Sequence, residues 1–365
     1  MTDIVEGQRT AFARKLTDIL NYGALNLAMG LGYRARLFDA MDGLAGPAGV
    51  DRIAAAAGLD ARYVQEWLGV MVCGGVVSLS QGPDGEDRFE LPRAHADLIT
   101  RRAGSDNLGV YTQEIPLLTR CAMDEVLAGF RTGRGVGYEA YPRFQQFMGQ
   151  LADAKHRDVL VDRFLPSVDK GTLVQQLRAG IRVCDLGCAE GLALILMAEA
   201  FPRSRFTGLD IAEDALAKAR AEASSRGLSN IAFHNRDAAR LATSSDLTGT
   251  FDYVTAFDAI HDQTRPLEAL QGVHAILKPG GAFSMVDIAA GSRLADNQDH
   301  PLGAFLYTVS LMHCLPVGRV DGGTGLGMMW GREQAVAMLE AAGFREVAVA
   351  EIPQDPFNLH FFCRK

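Results

Sequence analysis

From Ile181 onward the hydrophobic positions of this chain fall into short unbroken runs separated by stretches with helical spacing. The runs Ile181 to Leu186, Arg205 to Leu209, Ile231 to His234, Phe251 to Phe257 and Gly281 to Ile288 each predict a strand buried on both faces. Between them, Leu192 to Ala200, Ala212 to Arg226 and Pro266 to Leu277 carry the spacing of helices. That alternation predicts a parallel sheet with helices on both sides. A last helix, Glu333 to Ala342, is ended by Gly343. The runs Val347 to Ile352 and Asn358 to Cys363 then lie so close, across a loop from Pro353 to Phe357, that they must pair antiparallel.

The first hundred residues read differently. Residues 8–29, Arg34 to Met41 and Val50 to Ala57 have helical patterning, and Asp60 is placed to cap a helix from Ala61 to Cys73. Val64, Trp67, Leu68, Met71 and Val72 share one face of it. Gly74-Gly75 ends that helix, and Val76 to Leu79 and Arg88 to Leu91 flank a turn-forming Gly82-Pro83-Asp84-Gly85. Helix, turn, helix and a β-hairpin wing make a winged helix. Its would-be reading helix offers only Arg62 as a basic group, and residues 1–105 hold eleven Lys and Arg against thirteen Asp and Glu. A surface that reads nucleic acid is basic. The module is expected to serve as scaffold and dimerisation unit over residues 1–104.

Composition narrows the class further. The whole chain of 365 residues carries a formal charge of −8, which argues against a nucleic-acid or anionic-membrane partner. No run of eighteen apolar residues exists, and the N-terminus lacks the charged-then-apolar layout of a signal peptide. Six scattered cysteines fit reduced thiols, so a cytoplasmic location is expected. A metal site at His313-Cys314 would need further ligands at defined spacing, and none is found, so no metal is expected.

The chemistry gathers at the strand ends, where ligands of such sheets bind. The first strand breaks into Asp185-Leu186-Gly187-Cys188-Ala189-Glu190-Gly191, a glycine turn opening a helix, and Asp210 ends the second strand nineteen positions beyond Gly191 (210 − 191). An acid there is placed to accept hydrogen bonds from a ribose diol. A dinucleotide would need a second glycine where Ala189 stands, and Glu190 puts an anion where a diphosphate would sit. The third and fourth strands end in Asp237-Ala238 and Asp258.

The glycine segment resembles motif I of class I S-adenosylmethionine-dependent methyltransferases, an acid-hydrophobe-Gly-x-Gly-x-Gly pattern that Asp185, Gly187 and Gly191 match and Ala189 departs from. The closing antiparallel hairpin and the turn Lys278-Pro279-Gly280-Gly281 resemble the same family. The resemblance implies a Rossmann-like α/β fold of seven strands and S-adenosyl-L-methionine as cofactor. It makes Asp185, Gly187, Ala189, Gly191, Asp210, Ile211, Asp237, Ala238 and Asp258 its binding residues, with Asp237 near the adenine and Asp258 near the methionine end.

Within that family, Ile260-His261-Asp262 resembles the Ile/Leu-His-Asp sequence of winged-helix small-molecule O-methyltransferases, and His261 lies eighteen positions before Pro279. Histidine titrates near neutrality and suits a general base. His261 there either takes the acceptor's proton or holds the cofactor, and Asp262 either orients the ring or caps the next helix.

The whole chain resembles bacterial small-molecule methyltransferases and plant phenolic O-methyltransferases in layout. That implies methyl transfer to O, or N, of a small acceptor by a homodimer paired through its N-terminal domain, over an S-adenosylmethionine-binding domain at residues 178–365. A nucleic-acid methyltransferase or a non-catalytic cofactor-sensing regulator is the alternative. Residues 105–177 are expected to be a helical linker lending Tyr138 and Tyr141 to the substrate pocket. The long connection 289–331 is expected to form a helix over 301–313 and a glycine-hinged lid, with His313, Met329 and Trp330 lining the same pocket.

Overall fold

The computed structural model describes residues 2–352 and 355–365, in two compact units, Met1–Leu117 and Leu118–Lys365. Pro353 and Gln354, in the predicted hairpin loop, lie outside the described residues.

The first unit is a winged helix. Its opening helix, Thr2–Arg34, runs longer at both ends than the sequence pattern suggests, and shorter helices follow at Leu37–Asp42, Val50–Ala57 and Ala61–Cys73. Asp60 caps the last of these by accepting from the amides of Arg62 and Tyr63 at 2.9 and 3.2 Å. The core is Phe38, Ile53, Leu68 and Met71, with Trp67 edge-on to Phe38 at 5.2 Å. The Trp67 indole N–H donates to the Ala28 carbonyl at 2.9 Å, so its polar edge is satisfied inside the core. Strands β1 (Ser78–Gln81) and β2 (Asp87–Glu90) form the wing, paired antiparallel from Ser78 opposite Glu90 to Gln81 opposite Asp87.

The second unit holds a seven-stranded sheet. In chain order its strands are β3 (Arg182–Leu186), β4 (Arg205–Asp210), β5 (Ile231–Asn235), β6 (Phe251–Phe257), β7 (Leu277–Ile288), β8 (Arg345–Ile352) and β9 (Asp355–Arg364). Their spatial order is β5-β4-β3-β6-β7-β9-β8, the first five parallel and β9 antiparallel to both neighbours. The β7 strand begins four residues before the predicted one and takes in the Lys278 to Gly281 turn (281 − 277).

Successive strand residues point to opposite faces, so each strand feeds two cores. Val183, Phe206 and Tyr253 are register partners and pack together on one face with Leu194, Ile195 and Phe233. Cys184 and Val254 face the other side, among Leu209, Phe283, Leu339 and Phe361. Burial on both faces is why these strands read as unbroken apolar runs.

The order of connections reverses between β3 and β6, since β4 and β5 build outward on one side and β7 on the other. Such a switch point opens a crevice at the carboxyl ends of the strands.

The 289–331 connection differs from its prediction. A helix covers Gly303–Val309, a π-turn follows over Ser310–Cys314, and a further helical turn covers Leu315–Gly318. Its glycines serve close packing: a Cβ on Gly327 would lie 2.5 Å from Ser310 Oγ, and one on Gly331 would lie 2.3 Å from the Gly291 carbonyl carbon.

Candidate functional site

The loop after β3 is shaped by backbone conformation. Gly187, Ala189 and Gly191 all have left-handed φ, at 69°, 47° and 77°. A Cβ on Gly191 would meet the Phe233 ring at 2.5 Å, and one on Gly187 would meet Ala259 at 2.6 Å. The loop is therefore pressed against both β5 and the segment after β6. Ala189 pays the left-handed penalty that a glycine would not, on the order of 1–2 kcal/mol. Glu190 turns out to the surface, 2.6 Å from Lys218, so its charge does not sit over the loop as the sequence suggested.

Each strand-end acid has a defined partner. Asp210 accepts from the amides of Ala189 (2.9 Å) and Ala212 (2.8 Å), one on each oxygen, which fixes the loop and leaves each oxygen a second lone pair. Ile211, next to it, is exposed. Asp185 is buried, accepts from Thr255 Oγ1 at 2.7 Å, and is pushed up to about 7 by burial, with Asp210 adding to the rise. Asp237 accepts from the Ala239 amide at 2.9 Å and pairs with Arg265 at 2.9 Å, while Ala238 behind it is buried. Asp258 has φ 49°, accepts from Asn358, and burial raises it to about 6 against the pull of Lys155.

A second group of side chains assembles beside this loop. His261 is buried, and its Nδ1 lies 2.7 Å from Asp287 Oδ1. Its Nε2 lies 3.5 Å from Asp262 Oδ1. Burial alone lowers the imidazole, but the Asp287 and Asp262 carboxylates outweigh it and hold the group well above its usual value. Tyr138 donates its hydroxyl to Asp262 Oδ2 at 3.2 Å, and His313 Nδ1 stands 3.8 Å from the same oxygen. Burial lowers the His313 imidazole, Asp262 opposing.

The rings of Tyr141 and Phe144 flank His313 at 4.9 and 4.7 Å, and the Tyr141 hydroxyl is spent on the Met312 carbonyl at 2.8 Å. Cys314 Sγ lies 3.6 Å from His313 Nδ1. The fold thus brings together Tyr138, Tyr141, His261, Asp262 and His313. Met329 and Trp330 go elsewhere: Met329 packs with Ile288, Ala290 and Leu306, and Trp330 lies in the sheet core with Ala335 and Leu339.

The sequence reading left out Asp287 and Asn358, and it weighed Cys314 only beside His313. The signal for Asp287 was available, because it is the lone acid within the otherwise buried run from Phe283 to Ile288.

Comparison with known proteins finds likenesses in both units. Residues 177–310 match a methyltransferase domain family, and residues 23–101 match the Rv2258c-like winged HTH domain. Methyltransferase phqN of Penicillium fellutanum is 25% identical over 181 residues, which is 49% of this chain and 51% of that protein. The chain thus spans about half the length of the curated relatives it matches. Human N-acetylserotonin methyltransferase, solved with S-adenosylmethionine, superposes with TM-score 0.68 at 17% identity, covering 97% of both chains. An O-methyltransferase family protein of Burkholderia thailandensis gives TM-score 0.68 at 14% identity, over 97% of this chain and 98% of that one. A two-faced sheet with a glycine corner and a winged helix are thus matched part by part, by a methyltransferase domain, by a Rv2258c-like winged HTH domain and by the fold of methyltransferases of known structure.

Proposed function

We propose that the protein transfers a methyl group from S-adenosyl-L-methionine to an oxygen of a small-molecule acceptor in the cytoplasm, with His261 receiving the acceptor's proton. The observation that carries this is the buried His261–Asp287 pair, joined to the glycine loop through the close approach of Gly187 to Ala259.

The residues fit the cofactor. A Cβ would fill the loop at Gly187 and Gly191, the two oxygens of Asp210 keep acceptor capacity for a ribose diol, and Asp185 and Asp258 offer carboxylates toward an ammonium. When bound, S-adenosylmethionine supplies an electrophilic methyl group on its sulfonium. Asp287 accepts from His261 Nδ1, which fixes the ring and turns Nε2 toward Asp262, the carboxylate that also accepts from Tyr138. Nε2 is therefore the nitrogen that takes the proton.

The Asp287 and Asp262 carboxylates make His261 a stronger proton acceptor, and they also keep it protonated further up the pH scale. Turnover should accordingly rise with pH through a value above the ordinary histidine range of about 6.5. N-methylation would need no such base, which is why the pair favours oxygen.

The reading includes a homodimer through the N-terminal domain. Thr2–Arg34 exposes Phe12, Leu16, Ile19, Leu20 and Leu31, with Phe12 62% and Leu20 69% accessible. That is more apolar surface than a lone helix keeps in water. The alternative of nucleic-acid binding gains a place from the winged HTH match, yet Arg62, the only basic residue of the reading helix, is engaged with Glu66 at 2.5 Å.

Calorimetric titration with S-adenosylmethionine, S-adenosylhomocysteine and NADH tests the reading. Micromolar binding of the first two and none of NADH is expected. Binding of NADH alone would overturn it, and a salt-dependent shift on mixed DNA or RNA would favour the alternative.

A further inference from the structure

The histidine cluster contains more ligand chemistry than proton transfer uses. His261, Asp262 and Cys314 each offer one donor atom, all within 4.8 Å of one another. His313 adds a fourth, with Nδ1 at 3.6 Å from Cys314 Sγ and 3.8 Å from Asp262 Oδ2. Nε2 of His261 and Oδ1 of Asp262 are 3.5 Å apart. Donors about 2.0–2.3 Å from a tetrahedral zinc ion stand about 3.5 Å from each other. Two imidazoles, a carboxylate and a thiol from two adjacent pairs, His261-Asp262 and His313-Cys314, therefore converge, and the separation within each pair already matches that spacing.

Two independent features point the same way. Oδ1 of Asp262 is buried with no hydrogen-bond partner among the described residues, which is the condition an ion relieves. Oδ1 of Asp287 accepts from the far nitrogen of the His261 ring, the carboxylate–histidine support that orients metal-bound imidazoles. The two carboxylates otherwise share one imidazole for charge.

We propose that His261 Nε2, Asp262, His313 Nδ1 and Cys314 Sγ form a binding site for a thiophilic divalent cation of the zinc type, and that its occupation blocks methyl transfer. Binding exchanges the Cys314 thiol proton, released to solvent, for a metal–sulfur bond. The ion takes the Nε2 lone pair, so metal and proton acceptance exclude each other. Blocking rests on the reading of His261 as base, and binding does not.

The test uses the full chain, stripped with a chelator and titrated with Co2+, then displaced with Zn2+. One Co2+ per chain with the intense visible bands of tetrahedral geometry and a sulfur-to-cobalt charge-transfer band is expected. Cys314→Ser should remove that charge-transfer band, and Asp262→Asn should weaken binding at least about tenfold. S-adenosylhomocysteine binding verifies that each variant is folded. An octahedral spectrum, or a charge-transfer band that survives in Cys314→Ser, overturns the site. If the site is confirmed and one equivalent of Zn2+ leaves turnover intact, the blocking role is overturned. Should the chain methylate no acceptor at all, the cobalt spectrum still decides the site.

Discussion

The glycine loop and the histidine cluster touch through Gly187 and Ala259, yet they are built by opposite means. The loop is one contiguous stretch whose function lies in its backbone: left-handed angles, close approach and amides held by Asp210. The cluster is made of side chains gathered from the end of β6, the end of β7 and a π-turn, with His261 and Asp287 26 positions apart. A backbone site tolerates change in side chains but not in conformation. A side-chain site tolerates shifts of the loops that carry it but not the loss of a group.

Four substitutions probe that difference. The largest effect is expected from His261→Ala, which should lower turnover roughly 10²–10⁴-fold and leave cofactor affinity nearly intact. Turnover and calorimetry on the same preparation check this, and loss of cofactor binding would make His261 part of the loop's machinery instead. Asp210→Ala should weaken S-adenosylmethionine binding by about 1–3 kcal/mol, since both a ribose acceptor and the tie to Ala189 disappear. Unchanged affinity would remove Asp210 from the cofactor site.

Asp287→Asn tests the electrostatics of the cluster. His261 is held up by Asp287 and Asp262, so removing one charge lets burial pull the imidazole down. The acid limb of the pH–rate profile should move to lower pH while the maximal rate falls. A limb that stays in place would show that another group titrates. The smallest effect belongs to Ala189→Gly, which relieves the left-handed strain and should raise stability by on the order of 1 kcal/mol, read from a denaturant midpoint. Destabilisation would mean that the alanine methyl is packed, and the loop would no longer count as a purely backbone site.

The same contrast explains what the sequence revealed. The parallel sheet was legible because strands buried on both faces leave unbroken apolar runs, and the closing hairpin was legible from its short connection. The glycine loop was legible because it is contiguous. His261 could be read from its neighbours Ile260 and Asp262. Its pairing with Asp287 could not, because contact across β6 and β7 is a matter of register that spacing alone does not give, although a lone acid in a buried run marks Asp287 itself. Met329 and Trp330 misled for a related reason: large apolar groups in a glycine-rich loop look available to a ligand, and Trp330 instead completes the core against Leu339. Cys314 was visible beside His313, but its approach to His261 and Asp262 was not, because those residues lie far away along the chain.

The π-turn at Ser310–Cys314 has a consequence for inheritance as well as for geometry. A turn closed by i→i+5 bonds holds one residue more than an α-helical turn. A single-codon deletion at Leu311 would close the bulge into an ordinary α-helical turn and re-aim the side chains that the bulge carries, His313 and Cys314 among them. The cluster is thus encoded in chain length as much as in residue identity, and a one-residue indel would separate chains that keep it from chains that have lost it.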